Sequence, residues 1–202
     1  MKLFYQLEKF GNKHKKYKKT QAKSFVKSFL YALYTHYMNL SCVASDVNNV
    51  PRTFQKSGFA NPFLVTAIGG NGYMTTNYDN SPVLYYYNGI IVGTGNTAVA
   101  STDYFLQTYI LNGVTSGKLE YCGNSFTAPV VSAPSASFTM NRIFRNSSGG
   151  DITIKEIGIS SASECIGNTW YSFLIVRDVL GVPVTMANGD YLKVTYTFQI
   201  TA

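Results

Sequence analysis

Residues able to carry acid–base chemistry are few and scattered in this chain of 202 residues. The two histidines, His14 and His36, both lie in the N-terminal fifth, and neither is near a candidate nucleophile motif. Paired carboxylates can hydrolyse glycosides without histidine, but Glu156 and Asp178 stand among apolar strand residues. There we expect a structural pairing with arginine rather than catalysis, so the sequence predicts no enzyme. The candidate arginine partners are Arg142, Arg145 and Arg177. Of these, we group Arg177 with Glu156 and Asp178 as the candidate structural pair.

A glycine-rich segment, Gly93–Ala98, matches the G-x-G-x-x-A pattern of a dinucleotide-binding loop. That function needs a helix directly after the glycines, because the helix N-terminus holds the pyrophosphate. The residues that follow, Val99–Asp103, are β-like and polar, and no strand–helix–strand unit surrounds them. We therefore interpret the segment as an ordinary glycine turn and expect no cofactor.

The three cysteines, Cys42, Cys122 and Cys165, are odd in number and far apart in the chain. Neither a C-x-x-C pair nor a Cys/His cluster is present, so we expect no structural zinc site and no disulfide framework. Reduced thiols of a protein made in a cytoplasm are the simplest interpretation, with one bridged pair as the alternative.

The positive charge of the chain is confined to its N-terminal part. The whole chain has a formal net charge of +7. Residues 1–40 hold nine lysines and one acid and sum to +8, whereas residues 41–202 hold eight Lys/Arg and nine Asp/Glu and sum to −1. Such asymmetry points to nucleic acid, a membrane surface or an acidic partner. The central lysines of this segment are Lys13, Lys15, Lys16, Lys18 and Lys19.

Aromatic residues alternate with these lysines, and they allow two interpretations. Stacking combined with phosphate contacts would suit single-stranded nucleic acid, which gives non-specific contact through residues 1–27. Alternatively, the aromatics dock on a neighbouring subunit while the lysines stay in solvent. In both cases Gly11–Lys19 is expected to be mobile or to be ordered by a partner. The aromatic residues are Phe4, Tyr5, Phe10 and Tyr17.

From Thr20 onwards, apolar residues recur at steps of three and four, which predicts an amphipathic helix over residues 20–39 with Thr20 as its N-cap. The apolar face is wide and aromatic, a composition enriched at protein interfaces. We expect it to dock on neighbouring subunits, with packing on its own domain as the alternative. Contact with a membrane is not favoured. The residues predicted to dock are Phe25, Phe29, Leu33 and Tyr37.

The sequence divides into a basic arm plus helix, residues 1–45, and a β domain, residues 46–202. In the second part, short apolar strands alternate with turn signals, which predicts a mainly β fold: an antiparallel β-sandwich or jelly-roll-like domain. The apolar phase slips by one residue at Glu156, which predicts a β-bulge. Asn188-Gly189 predicts a hairpin turn, and residues 192–200 alternate as a half-buried strand.

Three stretches of the β domain carry a family resemblance. They are Ile90–Leu106 (I-I-V-G-T-G-N-T-A-V-A-S-T-D-Y-F-L), Phe138–Ile159, in which an aromatic-Arg strand leads into N-x-S-G-G and then I-T-I-K-E-I-G-I, and Leu174–Ile200. Together they cover about a third of the chain and resemble segments of virion structural proteins of tailed bacteriophages. The resemblance implies a tail, neck or capsid-associated position without choosing among them.

Three functional hypotheses follow. The leading one is a bacteriophage virion protein that forms ordered homo-oligomers and binds other virion proteins at the head–tail junction, neck/collar or tail. Residues 1–40 would then serve for docking, and their removal would leave a folded but unassembled body. The first alternative is an icosahedral capsid or capsid-decoration protein whose lysines contact the packaged genome. The second is a receptor- or carbohydrate-binding module, with Trp170 and Tyr171 as an aromatic platform.

Overall fold

The computed structural model describes residues 1–11, 13–22, 25–38, 40–54, 88–167 and 169–201. The side chains of residues 36–38, Glu164 and Trp170 lie outside this described set. Strands that the apolar pattern predicts at residues 63–68 and 83–87 also fall outside it.

The described part is mainly β, as the sequence predicts, with antiparallel sheets that pack together as a sandwich. These strands do not establish the connectivity of a jelly roll. In chain order the elements are β1 (Lys2–Phe10), β2 (Lys15–Lys16), β3 (Thr20–Ala22), α1 (Lys27–Met38), β4 (Val43–Ser45), β5 (Pro51–Thr53), β6 (Gly89–Gly93), β7 (Glu120–Phe126), β8 (Val130–Ser132), β9 (Ser135–Arg145), β10 (Ile152–Cys165), β11 (Thr169–Met186) and β12 (Tyr191–Thr201).

A large and a small sheet enclose one core. The large sheet has the order β2-β1-β12-β9-β7, with β3 also on β1 and β8 also on β9. The small sheet has the order β11-β10-β6, and β4 pairs with β5 separately. Leu192, Val194 and Tyr196 of β12 are fully buried, which confirms the predicted alternation over that half of the strand. They pack in the same core as Ile157 and Val176 of the small sheet.

Residues 2–10 are a strand of the large sheet, which differs from the predicted arm. β1 pairs with β12 along its whole length, from Lys2–Gln199 to Phe10–Tyr191. Leu3, Tyr5 and Leu7 alternate into the core, and this period-two pattern outweighs the surrounding lysines because burial of apolar side chains drives strand pairing. Removal of residues 1–40 would strip β12 of a partner, so we no longer expect it to leave an intact body.

Helix α1 begins at Lys27, seven residues later than predicted. Thr20, the expected N-cap, lies in β3 and pairs with Tyr5. Phe25 forms an isolated antiparallel bridge with Val176, and the N–H of Val26 donates to the carbonyl oxygen of Ile175 at 3.1 Å. This extended pairing with the edge of β11 prevents an earlier helix start.

Two local predictions meet different outcomes. The bulge predicted at Glu156 is confirmed, because the register between β10 and β11 shifts between Ile154 and Glu156. At Asn188-Gly189 a turn does form, and Gly189 takes the left-handed φ of 89°. The hairpin prediction was nevertheless wrong, since β11 and β12 on either side of the turn belong to different sheets.

Candidate functional site

Glu156 and Arg177, which the sequence analysis grouped, form a buried ion pair between β10 and β11. Arg177 Nε donates to Glu156 Oε2 at 2.8 Å, and Nη1 of the same guanidinium donates to Asp103 Oδ2 at 2.8 Å. The Arg177 side chain is 2% exposed. Burial by itself would lower the pKa of Arg177, but the hydrogen bonds and charges of Asp103 and Glu156 outweigh it and raise that pKa. The guanidinium therefore stays charged inside the protein.

Each carboxylate oxygen of Glu156 accepts two hydrogen bonds. Oε1 accepts the N–H groups of Gly95 at 3.1 Å and Thr108 at 2.8 Å, and Oε2 accepts the N–H of Gln107 at 3.1 Å in addition to Arg177. A carboxylate offers about four acceptor sites, so this one is saturated. The arrangement attaches the loop of residues 94–108 to the sheet and leaves Glu156 no free oxygen position for general-base chemistry.

The glycine segment Gly93–Ala98 binds side chains of its own chain. The N–H groups of Asn96 and Thr97 both donate to Gln107 Oε1 at 2.9 Å. A Cβ atom on Gly95 would lie 2.5 Å from Glu156 Oε1 and 2.5 Å from Gln107 Cβ. The close approach of these two side chains explains the glycine without a nucleotide.

Asp178 belongs to a different group, because consecutive strand residues point to opposite faces. The hydroxyl of Tyr196 donates to Asp178 Oδ2 at 3.2 Å, and the ring of Tyr5 meets that of Tyr196 edge-on at 6.2 Å between centroids. Burial, and then the charge of Asp178, raise the pKa of Tyr196 well above its ordinary value. The predicted group of Glu156, Arg177 and Asp178 is thus divided between the two faces of the small sheet.

The other two candidate cations have other partners. Arg142 of β9 donates from Nη1 to the carbonyl oxygens of Asn88 and Ile90, both at 3.0 Å, and so links the large sheet to the small one. Arg145 lies 3.7 Å from Glu120 on the surface of the large sheet. Neither is part of the Glu156 network that these distances define.

Helix α1 packs on the body with small residues and directs larger ones outward. Ala32 and Thr35 are fully buried. Leu30, Tyr31 and Tyr34, which are neighbours at helical spacing, are 62%, 37% and 44% exposed. Grouped exposed apolar side chains on one surface mark an interaction site more often than scattered ones do. We term Leu30, Tyr31 and Tyr34 the helix face.

The residues that the sequence predicted for docking lie beside this helix face. Phe25 and Phe29 stack on each other with 4.4 Å between ring centroids and pack against the core. Leu33 is half-buried, and the side chain of Tyr37 lies outside the described residues. The bridge between Phe25 and Val176 sets the rotation of the helix, and no local signal in the sequence could have revealed this long-range contact.

The lysine-rich segment forms the outer edge of the large sheet. β2 pairs with β1 through Lys15–Lys9 and Lys16–Glu8, and the N–H of Tyr17 donates to the carbonyl oxygen of Leu7 at 2.9 Å. The backbone of this segment is therefore built onto the sheet, although the sequence predicts it to be mobile or ordered by a partner. We term the exposed lysines of this segment, together with Lys2 at the start of β1, the basic edge. Its residues are Lys2, Lys13, Lys15, Lys16, Lys18 and Lys19.

Contacts among the described residues neutralise little of the basic edge. Glu8 lies 3.6 Å from Lys16 Nζ and 3.8 Å from His14 Nε2. Lys9, which is largely buried, pairs instead with Asp190 at 3.0 Å. Cation–π contacts orient two further lysines without neutralising them, Lys15 at 4.7 Å from the ring of Tyr17 and Lys19 at 4.8 Å from the ring of Phe4.

The predicted aromatic platform is already covered on one side. The guanidinium carbon of Arg52 lies 3.7 Å from the centre of the Tyr171 ring, and Arg52 Nε donates to the buried Asp46 carboxylate at 2.9 Å. One face of Tyr171 is therefore occupied by a cation of the same chain. The side chain of Trp170 lies outside the described residues.

Within the described residues, no group of three or more His, Cys, Asp or Glu side chains could hold a metal ion. Cys42, Cys122 and Cys165 form no disulfide bond with one another. No helix in the described ranges has the length and apolar character needed to cross a membrane. No family model, curated protein or solved structure matches this chain. The helix face and the basic edge are therefore the surfaces on which a function can be argued.

Proposed function

We propose that this chain is a structural subunit of a bacteriophage particle and that it works by forming ordered homo-oligomers through the helix face. The observation that carries the proposal is the outward orientation of Leu30, Tyr31 and Tyr34 on a helix that is anchored to a β-sandwich body. A β body supplies a rigid shape, and an exposed apolar helix supplies a contact that another subunit can bury.

The chemistry of the helix face fits a second copy of this chain. Lys27, at the first position of α1, is the helix's one lysine, arginine, aspartate or glutamate, so two such faces can meet without repulsion between like charges. Leucine and tyrosine contribute apolar area, and the tyrosine hydroxyls can hydrogen-bond at the rim. A self-complementary surface of this kind suits a two-fold contact.

The helix face is held rigidly before any partner binds. Phe25 bridges to Val176, Val26 donates to Ile175, and the N–H of Lys27 donates to the carbonyl oxygen of Ser101 at 2.8 Å. Such preorganisation lowers the conformational entropy that association must remove. The helix can therefore contribute most of its apolar area to affinity.

The assignment to a phage particle is supported by the resemblance of residues 90–106, 138–159 and 174–200. These stretches include most of β6, β9, β11 and β12, together with the first half of β10. They are body strands, so the resemblance concerns the scaffold that presents the helix face. A position at the head–tail junction, neck/collar or tail, in contact with other virion proteins, is part of this proposal.

The test compares Leu30→Glu with Val182→Glu. Both residues are more than 60% exposed and both variants add one negative charge, but Val182 lies on β11 away from α1 in sequence. Burial of a leucine contributes about 1.5–3 kcal/mol, so we expect Leu30→Glu to weaken self-association at least about tenfold. Analytical ultracentrifugation over a concentration series measures this, and far-UV circular dichroism verifies folding. A monomeric wild type, or equal association of the two variants, would contradict the proposal.

A second candidate, a capsid or capsid-decoration protein that contacts the packaged genome, is favoured by the basic edge. Both candidates are structural and can share the same oligomer. The receptor- or carbohydrate-binding module receives less support, because Arg52 covers one face of Tyr171.

A further inference from the structure

We infer that the basic edge binds the phosphate backbone of nucleic acid without reading its sequence. This goes beyond oligomer formation, because it concerns the edge of the large sheet rather than the helix face. The two proposals can therefore fail separately.

The basic edge holds positive charge that contacts among the described residues leave largely uncompensated. Six lysines of the basic edge are exposed, and within residues 1–22 the one acid is Glu8, which Lys16 and His14 share. Strand pairing fixes the backbone of Lys2, Lys15 and Lys16. The short segment that holds Lys18 and Lys19 is fixed at both ends, because β2 and β3 both pair with β1. A fixed row of like charges is electrostatically unfavourable by itself and is relieved when a polyanion binds.

Another copy of this chain offers too little negative charge to balance the basic edge. Beyond residue 40, most described carboxylates are buried or engaged by cations of the same subunit. Asp151 is the one exposed carboxylate in that part of the described chain. Asp79 and the side chain of Glu164 lie outside the described residues, but even three carboxylates could not balance six lysines. A second copy of this chain also carries the same net charge of +7, so a different polyanion suits the basic edge better. The buried acids are Asp46, Glu156, Asp178 and Asp190, and the partly buried, ion-paired ones are Asp103 and Glu120.

The exposed side chains around the basic edge suit nucleic acid better than a lipid surface. Membrane-surface segments pair their lysines with a broad apolar face that enters the acyl region. In the described part of residues 1–22, the large apolar side chains that are exposed are Met1 and Phe10. The basic edge is thus a row of cations with little to insert into a bilayer.

The side chains also indicate how the nucleic acid is recognised. Lysine is a point charge that suits phosphate neutralisation, whereas bidentate recognition of bases usually employs arginine. Phe10 is 38% exposed and stacks on the exposed ring of His14 with 4.9 Å between centroids. This pair offers a surface on which an unpaired base can stack, so single strands should bind more tightly than duplex.

The experiment measures binding of the full-length chain to a fluorescein-labelled 30-nucleotide DNA of mixed sequence, as a single strand and as a duplex, between about 50 and 300 mM salt. We expect a steep salt dependence. Each phosphate contact contributes about 0.7 to the logarithmic slope for single strands. Lys13→Gln/Lys18→Gln removes two such contacts, so the slope should fall by about 1.4 and the affinity roughly 25-fold near 0.1 M salt.

The matched control is Lys118→Gln/Lys155→Gln, which removes the same charge from the body and should bind like wild type. Phe10→Ala should weaken single-strand binding more than duplex binding. Leu30→Glu should still bind, whatever its oligomeric state. The inference is overturned if the wild-type chain binds neither DNA at about 50 mM salt, or if the two double-lysine variants lose DNA affinity equally. It is also overturned if the wild-type chain binds phosphatidylserine vesicles but neither DNA.

Discussion

The buried carboxylate at the bulge of β10 allows the sharpest prediction about stability. Replacing Glu156 by glutamine keeps the size and shape of the side chain but exchanges one acceptor oxygen for an amide donor. Both oxygens of Glu156 now accept two hydrogen bonds, from Gly95, Thr108, Gln107 and Arg177. Whichever way the glutamine turns, two donors of the protein face its NH₂ group.

The magnitude follows from what is lost. Removal of one member of a buried ion pair costs about 3–5 kcal/mol, because the remaining charge is left in a poorly solvating interior. Arg177 retains Asp103, which reduces this penalty, whereas the two unsatisfied donors add about 1–3 kcal/mol each. The two costs overlap where Arg177 is itself one of the donors that face the NH₂ group. We therefore expect Glu156→Gln to lower the free energy of unfolding by at least about 4 kcal/mol.

The matched control is Glu120→Gln, in which a partly exposed carboxylate 3.7 Å from Arg145 is changed in the same way. Partly exposed pairs of this kind contribute about 0–1 kcal/mol. Urea denaturation followed by tryptophan fluorescence gives both free energies. Hydrogen exchange should also show faster opening of the Gly95 and Thr108 amides in Glu156→Gln alone. A loss below about 1 kcal/mol, or equal losses in the two variants, would refute the structural role assigned to Glu156.

Three further predictions concern the core. Leu7→Ala should cost about 2–5 kcal/mol in urea denaturation, since β1 is a core strand, whereas a free arm would tolerate it. Gly95→Ala should destabilise by about 1–3 kcal/mol because its Cβ meets two side chains, while Gly181→Ala, whose Cβ meets nothing, should be near neutral. Burial, followed by the charges of neighbouring groups, raises the pKa values of Tyr121 and Tyr196 above 10.0. The stability they contribute is present below about pH 10 and is lost at higher pH, so their absorbance at 295 nm should titrate only as the protein unfolds.

Features of the fold that depend on short-range periodicity were predictable. The alternation in β12 and the slipped phase at Glu156 both follow from a few neighbouring residues, and the described structure contains both. The turn at Asn188-Gly189 was also predictable, because glycine tolerates the left-handed φ found there. It was not predictable that this turn joins strands of two different sheets, because strand pairing depends on segments that are distant in the chain.

The two candidate surfaces show the same division. The charge asymmetry is a property of the sequence, but β pairing decides that Lys2, Lys15 and Lys16 lie in strands of the large sheet instead of on a free arm. An amphipathic helix was predicted over residues 20–39, but it begins only at Lys27, and Leu30 faces solvent because Phe25 bridges to Val176. That bridge joins residues about 150 positions apart, beyond the range of any periodic pattern.

The amino-acid sequence by itself determined a mainly β body, an N-terminal concentration of lysines and a pairing between Glu156 and an arginine, because composition and local periodicity carry that information. Only the tertiary structure decided that Asp103 joins the pair, that the glycine segment is filled by Glu156 and Gln107, and that Leu30, Tyr31 and Tyr34 form one exposed face. The physical reason is common to all three: each depends on contacts between segments distant in the chain, which come together only when both sheets close over the core.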